Sequence, residues 1–452
     1  MRNSNRVAIA VILIVFAAAG CGRDTTGLEP ATGVVDSNVF IDEFSSGTDF
    51  QAFEYSQDDA LGQDATGGLD GSNSLLINVP DHGSFAGGAF VAFEARDLSS
   101  FNALTFYARA SREETFDIVG LANDNTGTSR YEASWSVIEL TPGWQKFTVP
   151  IPLPEKLTAE KGLFYFADAV PNGSSGYQVW LDDVKFESVA SISNPRPFMA
   201  TQTLTPFVGA EVSVDSTRVV FNVDGTDQII NHLPGYFTYT SSNDTVATIV
   251  DRAIKVVGIG ATTITAKFDT MDVTGEVTLL TTGAPLEAAP TPPYPPADVV
   301  SLFSDAYDDV YVDTWAATWA GASHEVADFE VEGDGVKVYT NLTYAGIEFV
   351  TNTINAGSMD YFHMDIWVPE GNSFSFKLVD FGADGQYGGA PDSEHELYFG
   401  PASTPPIVAG SWISLDIPFT DLWRLTNREH LAQMIIAGNT RTVFVDNVYF
   451  HK

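Results

Sequence analysis

"VWLDDVKF" (Val179–Phe186) and "VFVDNVYF" (Val443–Phe450) are two copies of one strand pattern, far apart in the chain. Successive strand residues point to opposite faces. Strict alternation therefore puts Trp180, Asp182, Val184 and Phe186 on one face, and likewise Phe444, Asp446, Val448 and Phe450. Each run carries one carboxylate among apolar neighbours, at the same position. A carboxylate withdrawn from water is costly unless paired or metal-bound.

The surrounding sequence reads as all-β. Short alternating runs, rich in aromatic and β-branched residues, recur between Gly, Asn, Asp and Pro turns, and no long helical period interrupts them. That is the pattern of β-sandwiches. A chain of 452 residues predicts two to four domains. One joint is "SISNPRPF" (Ser191–Phe198); another is "TTGAPLEAAPTPPYPPADV" (Thr281–Val299), whose prolines predict a stiff, extended linker over 282–297. The globular pieces are then 34–190, 196–281 and 298–452.

The outer two pieces are diverged repeats. "SSFNALTFYARAS" (Ser99–Ser111) aligns with "GSMDYFHMDIWVP" (Gly357–Pro369), "FDIVGLAND" (Phe116–Asp124) with "FKLVDFGAD" (Phe376–Asp384), and "PGWQKFTVPI" (Pro142–Ile151) with "AGSWISLDIPF" (Ala409–Phe419). The paired acidic strands close both units.

Charge narrows the partners. There are 59 Asp plus Glu against 22 Lys plus Arg, a net charge of −37. Nucleic acid and anionic lipid suit such a surface poorly; a neutral ligand or a divalent cation suits it better. The chain opens "MRNSNRVAIAVILIVFAAAGC", in which Arg2 and Arg6 precede an apolar run too short to span a bilayer. Residues 1–20 are expected to be a cleaved signal peptide. Cys21 is the only cysteine, so there is neither a disulfide framework nor a cysteine metal site. "AAGC" resembles the lipobox of bacterial lipoproteins. That resemblance implies a lipid on Cys21 and a tether over 21–33. With Gly22 following, it implies the outer membrane, leaving open which face.

Two further resemblances follow from motifs. "YTSSNDTVATIVDRAIKVVGIGATTITAKF" (Tyr239–Phe268) resembles the bacterial immunoglobulin-like group 2 domain, which implies a spacer. The outer repeats resemble β-jelly-roll carbohydrate-binding modules. In the third piece, "PPADVVSLFSDAYDDVYVDTW", "NLTYAGIEFV", "FHMDIWVPE", "FKLVDFGADGQYGG" and "VFVDNVYFHK" are similar to a module attached to β-glucanases and glycan-binding proteins of Bacteroidetes-type bacteria. The fold expected is thus two β-jelly-roll sandwiches flanking one Ig-like β-sandwich. The resemblance implies binding of β-glucan, laminarin-type β-1,3-glucan first, and a structural Ca²⁺ between first and last strands. Hard oxygen ligands are what Ca²⁺ takes. The ligand pairs expected are Asp182 with Glu43 and Asp446 with Asp305; the alternative is that these aspartates are solvated at a half-open sheet end.

Sugar recognition calls for aromatic platforms under apolar pyranose faces, with a few polar groups for the hydroxyls. In "YFHMDIWV", Phe362, Met364, Ile366 and Val368 read as core, which turns Tyr361, His363, Asp365 and Trp367 to the other face. Trp315, Trp319, Tyr387, His395 and Glu396 extend the candidate site. In the first piece, Tyr107, Arg109, Tyr131 and Trp135 are the candidates. Catalysis finds less support. Glu325, Asp328 and Glu330 invite comparison with the acidic strand of family 16 β-glucanases, but their spacing places Glu325 on the opposite face from the other two, and glycoside hydrolysis needs a facing pair. No nucleophile elbow, His-Glu-x-x-His or phosphate loop occurs. The expectation is a non-catalytic, lipid-anchored polysaccharide-binding protein that serves glycanases or an outer-membrane importer. An adhesion protein is the rival reading, and a glycoside hydrolase the third.

Overall fold

The computed structural model describes residues 35–250, 253–319, 321–389 and 392–452. The signal peptide, Cys21 and the tether lie outside the described residues. Within them the chain is all-β, with four short 3₁₀ turns and no α-helix. It forms β-sandwiches, as the alternation predicts.

The opening puzzle has a geometric answer. In the strand Tyr177–Glu187, Asp182 pairs with Tyr107 and the next registered pair is Lys185 with Thr105. Between these pairs Asp183 and Val184 oppose Phe106 alone, two residues against one, which is a β-bulge. In the strand Val443–His451 the corresponding pairs are Asp446 with Asp365 and Tyr449 with His363. The bulged residues are Asp183 and Asn447, both at φ 50°, a left-handed conformation that Asn and Asp tolerate. Each bulge exchanges the two faces. Val179, Leu181, Val184 and Phe186 all reach the core, as do Val443, Val445, Val448 and Phe450. The aspartates therefore do not share a face with the valine and phenylalanine that follow them, contrary to strict alternation.

The third domain is one nine-stranded sheet folded into two layers. Its long strand Asp334–Glu348 links them. Residues Lys337 to Tyr339 pair with Val443–His451 in one layer, and Tyr344 to Glu348 pair with Leu431–Gly438 in the other. The core between the layers holds Phe362, Met364, Ile366 and Val368, as the sequence indicates.

The first two domains are less separate than their sequence joint implies. The strand Ala133–Leu140 of the first pairs with Thr226–His232 of the second, making one eight-stranded sheet. A single apolar cluster runs from Val39 to Leu279. The second and third domains meet through Phe207, which packs edge-on against Phe444 (5.2 Å) and Phe329 (5.1 Å) in a cluster with Val336, Val338 and Trp367. The proline-rich segment is not a free spacer. The Glu287 carbonyl accepts Trp412 Nε1 (2.8 Å), the Pro290 carbonyl accepts Asn447 Nδ2 (3.2 Å), and Tyr294 stacks on His451 at 3.8 Å. It is a strap laid over the outer face of the third domain.

Candidate functional site

That strap and the second domain cover the face expected to bind sugar. Trp367 and His363 are 7% and 8% exposed, and Asp365 is 1% exposed. Asp365 accepts hydrogen bonds from Ser414 Oγ and Asn447 Nδ2 (2.9 Å). His363 stacks on Tyr449 (4.5 Å) and contacts Asp416 through Nδ1 (3.0 Å). Burial alone would lower its pKa, but Asp365 and Asp416 outweigh that and hold it above the ordinary histidine value. Tyr361 stacks on His451 at 4.9 Å. Tyr361, His363 and Asp365 belong to a polar seam and Trp367 to the apolar contact with the second domain, so the four make no open platform. Trp315 is also elsewhere: it packs on Phe303 (5.6 Å), beneath the Lys337 ammonium (5.4 Å).

The open groove lies on the opposite layer. Four strands, Asp334–Glu348, Leu431–Gly438, Phe374–Asp380 and Ser393–Phe399, align their outward residues in rows. One row is Gly346, Ile435, Lys377 and Glu396; the next is Glu348, Gln433, Val379 and Glu394. Alternate residues Phe374, Phe376 and Leu378 point into the core, so the strand period itself fixes which side chains face out. Trp319 lies across this sheet, directly over Gly346. A Cβ there would come within 2.5 Å of the Trp319 ring. Only glycine lets the indole lie flat. The loop after the Phe374–Asp380 strand brings Phe381 and Tyr387 to the far side, with their rings 5.8 Å apart. The groove measures about 770 Å³.

Its polar groups are ordered by one another. Lys377 Nζ donates to Glu394 (3.2 Å), Ser375 Oγ to Glu396 (2.9 Å) and Gln433 Nε2 to Glu348 (2.9 Å). Aromatic walls around planar carboxylate and amide groups suit a ligand with apolar faces and hydroxyl edges. Of the residues expected from sequence, Trp319, Tyr387 and Glu396 come together here. Lys377, Glu394, Gln433 and Glu348 were missed, although the alternation in "FKLVDF" and "SEHELYF" marks Lys377 and Glu394 as outward. Gly346→Val is expected to evict Trp319 and abolish ligand binding with the fold retained, measured by ligand titration alongside circular dichroism.

The corresponding face of the first domain differs. It carries the apolar group Ala89, Val91, Tyr165, Phe53 and Ile118. The four residues proposed there do not form one site. Tyr107 and Arg109 lie on the sheet containing Tyr177–Glu187. Tyr131 meets Tyr236 of the second domain (5.4 Å), and Trp135 lines a separate cleft with Lys146, Phe147 and the second domain's Gln228 and Ile229.

The acidic residues divide by domain. Asp446 is fully buried, accepts the Asn447 N–H (2.6 Å) through Oδ1, and leaves Oδ2 without a donor. Burial pushes its pKa up to about 8, and Asp334 and Asp365 nearby add to the shift. Asp334 lies within hydrogen-bonding reach of both Asp446 and Asp305. It is delivered by a tight hairpin whose turn residues Glu332 and Gly333 both have positive φ. Asp305 and Asp446 thus belong to one carboxylate row, joined through Asp334. The orphaned buried oxygen and the row of hard acceptors fit a divalent cation, although among the described residues no three ligands converge closely enough to hold an ion as they stand. In the first domain the fit fails. Asp182 accepts N–H groups from Leu69 and Asp183, both at 2.8 Å. Glu43 is exposed, and no described contact joins it to Asp182. Asp182 and Glu43 are thus not brought together as the expected pair, and two backbone donors answer the Asp182 charge. Glu325, Asp328 and Glu330 are all exposed, with Asp328 paired to Lys337.

No family model matches the chain, and no curated protein is similar to it. Among solved structures, it is similar to the family 30 carbohydrate-binding module of a cellulosomal cellulase of Clostridium thermocellum (17% identity, TM-score 0.23, 36% of this chain and 94% of that one). It is also similar to a family 11 carbohydrate-binding module from Clostridium thermocellum, in complex with a β-1,3-1,4-mixed-linked tetrasaccharide (14% identity, TM-score 0.26, 35% and 98%). A β-1,2-glucanase from Parabacteroides distasonis matches at 12% identity and TM-score 0.25, over 56% of this chain and 39% of that one. At such values the fold description rests on the strand order itself.

Proposed function

We propose that this chain is a non-catalytic polysaccharide-binding lipoprotein whose third domain holds one glycan chain in the groove beneath Trp319. The observation that carries the reading is the groove itself: Trp319 laid flat over Gly346, faced by Phe381 and Tyr387, with Lys377, Glu394, Glu396 and Gln433 between them. Rings satisfy the C–H faces of a sugar, and the ordered polar groups satisfy its hydroxyls. β-Glucan of the laminarin type is the ligand favoured by the motifs of residues 298–452. A lipid on Cys21 would hold the protein at the outer membrane, where captured polysaccharide passes to glycanases or an importer. The Ig-like second domain, clamped to both neighbours, acts as a strut.

The test is affinity electrophoresis of the chain from residue 22 onward through gels containing laminarin, mixed-linkage glucan, xylan or alginate. Retardation by a β-glucan supports the reading. Free migration in every gel, or release of reducing ends from the polymer, contradicts it.

Calcium belongs to the same proposal, with Asp305, Asp334 and Asp446 as its ligands. Without metal, the raised Asp446 pKa means that folding disfavours the ionised form. Stability should therefore fall as pH rises from the unfolded carboxylate value, about 4, to about 8. Calcium should remove that fall and raise Tm, by about 2.7 kcal/mol of stability at a hundred times its Kd. Asp446→Asn should stabilise the metal-free protein above neutral pH and abolish the response to calcium in differential scanning calorimetry.

A further inference from the structure

We propose a second glycan site, on the outer face of the first domain, that selects a uronic-acid residue through Arg109. The Arg109 guanidinium lies 3.8 Å from the centroid of the Trp180 ring and 5.4 Å from that of Trp144. A guanidinium held between indoles keeps its plane fixed and its N–H edge free. That edge is nearly unused. Its one described hydrogen bond, to the Gly67 carbonyl, is long at 3.4 Å. Arg112 and Arg196 find Glu114 and Asp227, whereas Arg109 forms no ion pair among the described residues. The neighbouring carboxylate, Asp64, instead accepts Trp180 Nε1 (3.0 Å) and the Thr66 N–H (3.2 Å). Asp64 feels the Arg109 charge but is held by these donors outside ion-pair distance, which leaves the fork able to take a carboxylate in bidentate fashion.

The internal repeat supplies a second, independent observation. Arg109 is the cross-strand neighbour of Trp180, as Trp367 is of Phe444. Trp144 and Trp412 occupy matching places in "PGWQKFTVPI" and "AGSWISLDIPF". In the third domain these positions are all apolar and are sealed by Phe207 and the strap. In the first domain the second domain attaches to the opposite sheet, through Ala133–Leu140, and Trp180, Trp144 and Arg109 stay half-exposed. One copy of the platform is an interface; the other is open and carries a cation. The guanidinium itself covers Trp180, so the half-exposed Trp144 is the indole offered to a pyranose ring while the fork takes its carboxylate in bidentate fashion. The net charge of −37 opposes a continuous polyanion, so the ligand is a uronate carried on an otherwise neutral chain.

The test compares glucuronic-acid-substituted xylan with the same polymer after carboxyl reduction, using the chain from residue 22 onward at low ionic strength. About tenfold tighter binding of the acidic form is expected, consistent with a charge-assisted bidentate pair. Arg109→Gln should erase that preference, and Arg109→Lys, which keeps the charge but not the fork, should lose most of it. Trp319→Ala should leave it intact, which separates this site from the groove. Equal binding of both polymers by the unaltered protein overturns the proposal. So does a preference that survives Arg109→Gln at unchanged Tm, or one that Trp319→Ala removes.

Discussion

Trp319→Ala is expected to weaken glycan binding about 100-fold, or about 2.7 kcal/mol, while the protein stays folded. The indole is the broadest apolar surface in the groove and rests on bare backbone at Gly346. A ligand ring stacked there loses its platform, and no neighbouring side chain can take its place. The segment that carries Trp319 is anchored separately, since the Ala317 N–H bonds the Gly346 carbonyl at 2.9 Å. Folding therefore does not hang on the ring. Trp319→Phe should restore part of the affinity, as a smaller platform of the same kind. Titration with laminari-oligosaccharides, with Tm measured on the same samples, distinguishes lost binding from lost fold.

Trp367→Ala should do the reverse. Trp367 is buried against Phe444 (5.4 Å), where Phe207 brings in the second domain. Truncating a buried tryptophan costs about 3–5 kcal/mol, and here the loss falls on the contact between domains. Unfolding of the third domain should become a separate, earlier transition in calorimetry, and the strap over 282–297 should become sensitive to protease. Groove affinity should be unchanged under conditions where the third domain stays folded. A loss of glycan binding without loss of stability would return this face to the role that alternation alone assigns it.

These two tryptophans show where reading the sequence succeeds and where it stops. Strand period placed Phe362, Met364, Ile366 and Val368 in the core, and it turned Trp367 away from that core. What lies beyond a strand's other face is decided by packing between domains, and alternation has no term for Phe207 arriving from more than 150 residues upstream. The bulges are a nearer miss. Asp182-Asp183 and Asp446-Asn447 put residues tolerant of positive φ where the register slips, so a local signal for the face exchange was present in the two strands. Strict alternation instead makes the two aspartates either metal ligands or solvated groups at a sheet end. For Asp446 the buried, orphaned oxygen keeps the metal-ligand reading open, whereas for Asp182 two backbone N–H groups answer the charge.

The groove was half legible for a similar reason. Trp319, Tyr387 and Glu396 stood out as aromatic and acidic residues near turns. Lys377, Gln433 and Glu348 come from three strands scattered between 334 and 438, and they meet only because the register sets them side by side. Alternation within a strand tells which residues face out, but nothing within one strand tells which residues of the others stand beside them.

Hydrogen exchange of the chain from residue 22 onward, with and without a saturating laminari-oligosaccharide, tests the location of the site most directly. The account predicts slowed exchange in the segments that carry Trp319 and Tyr387, at 313–319 and 381–389, with the segment 282–297 and the strand Tyr361–Trp367 unchanged. Protection confined to Tyr361–Trp367 and the strap, or no change anywhere at saturating ligand, would contradict it.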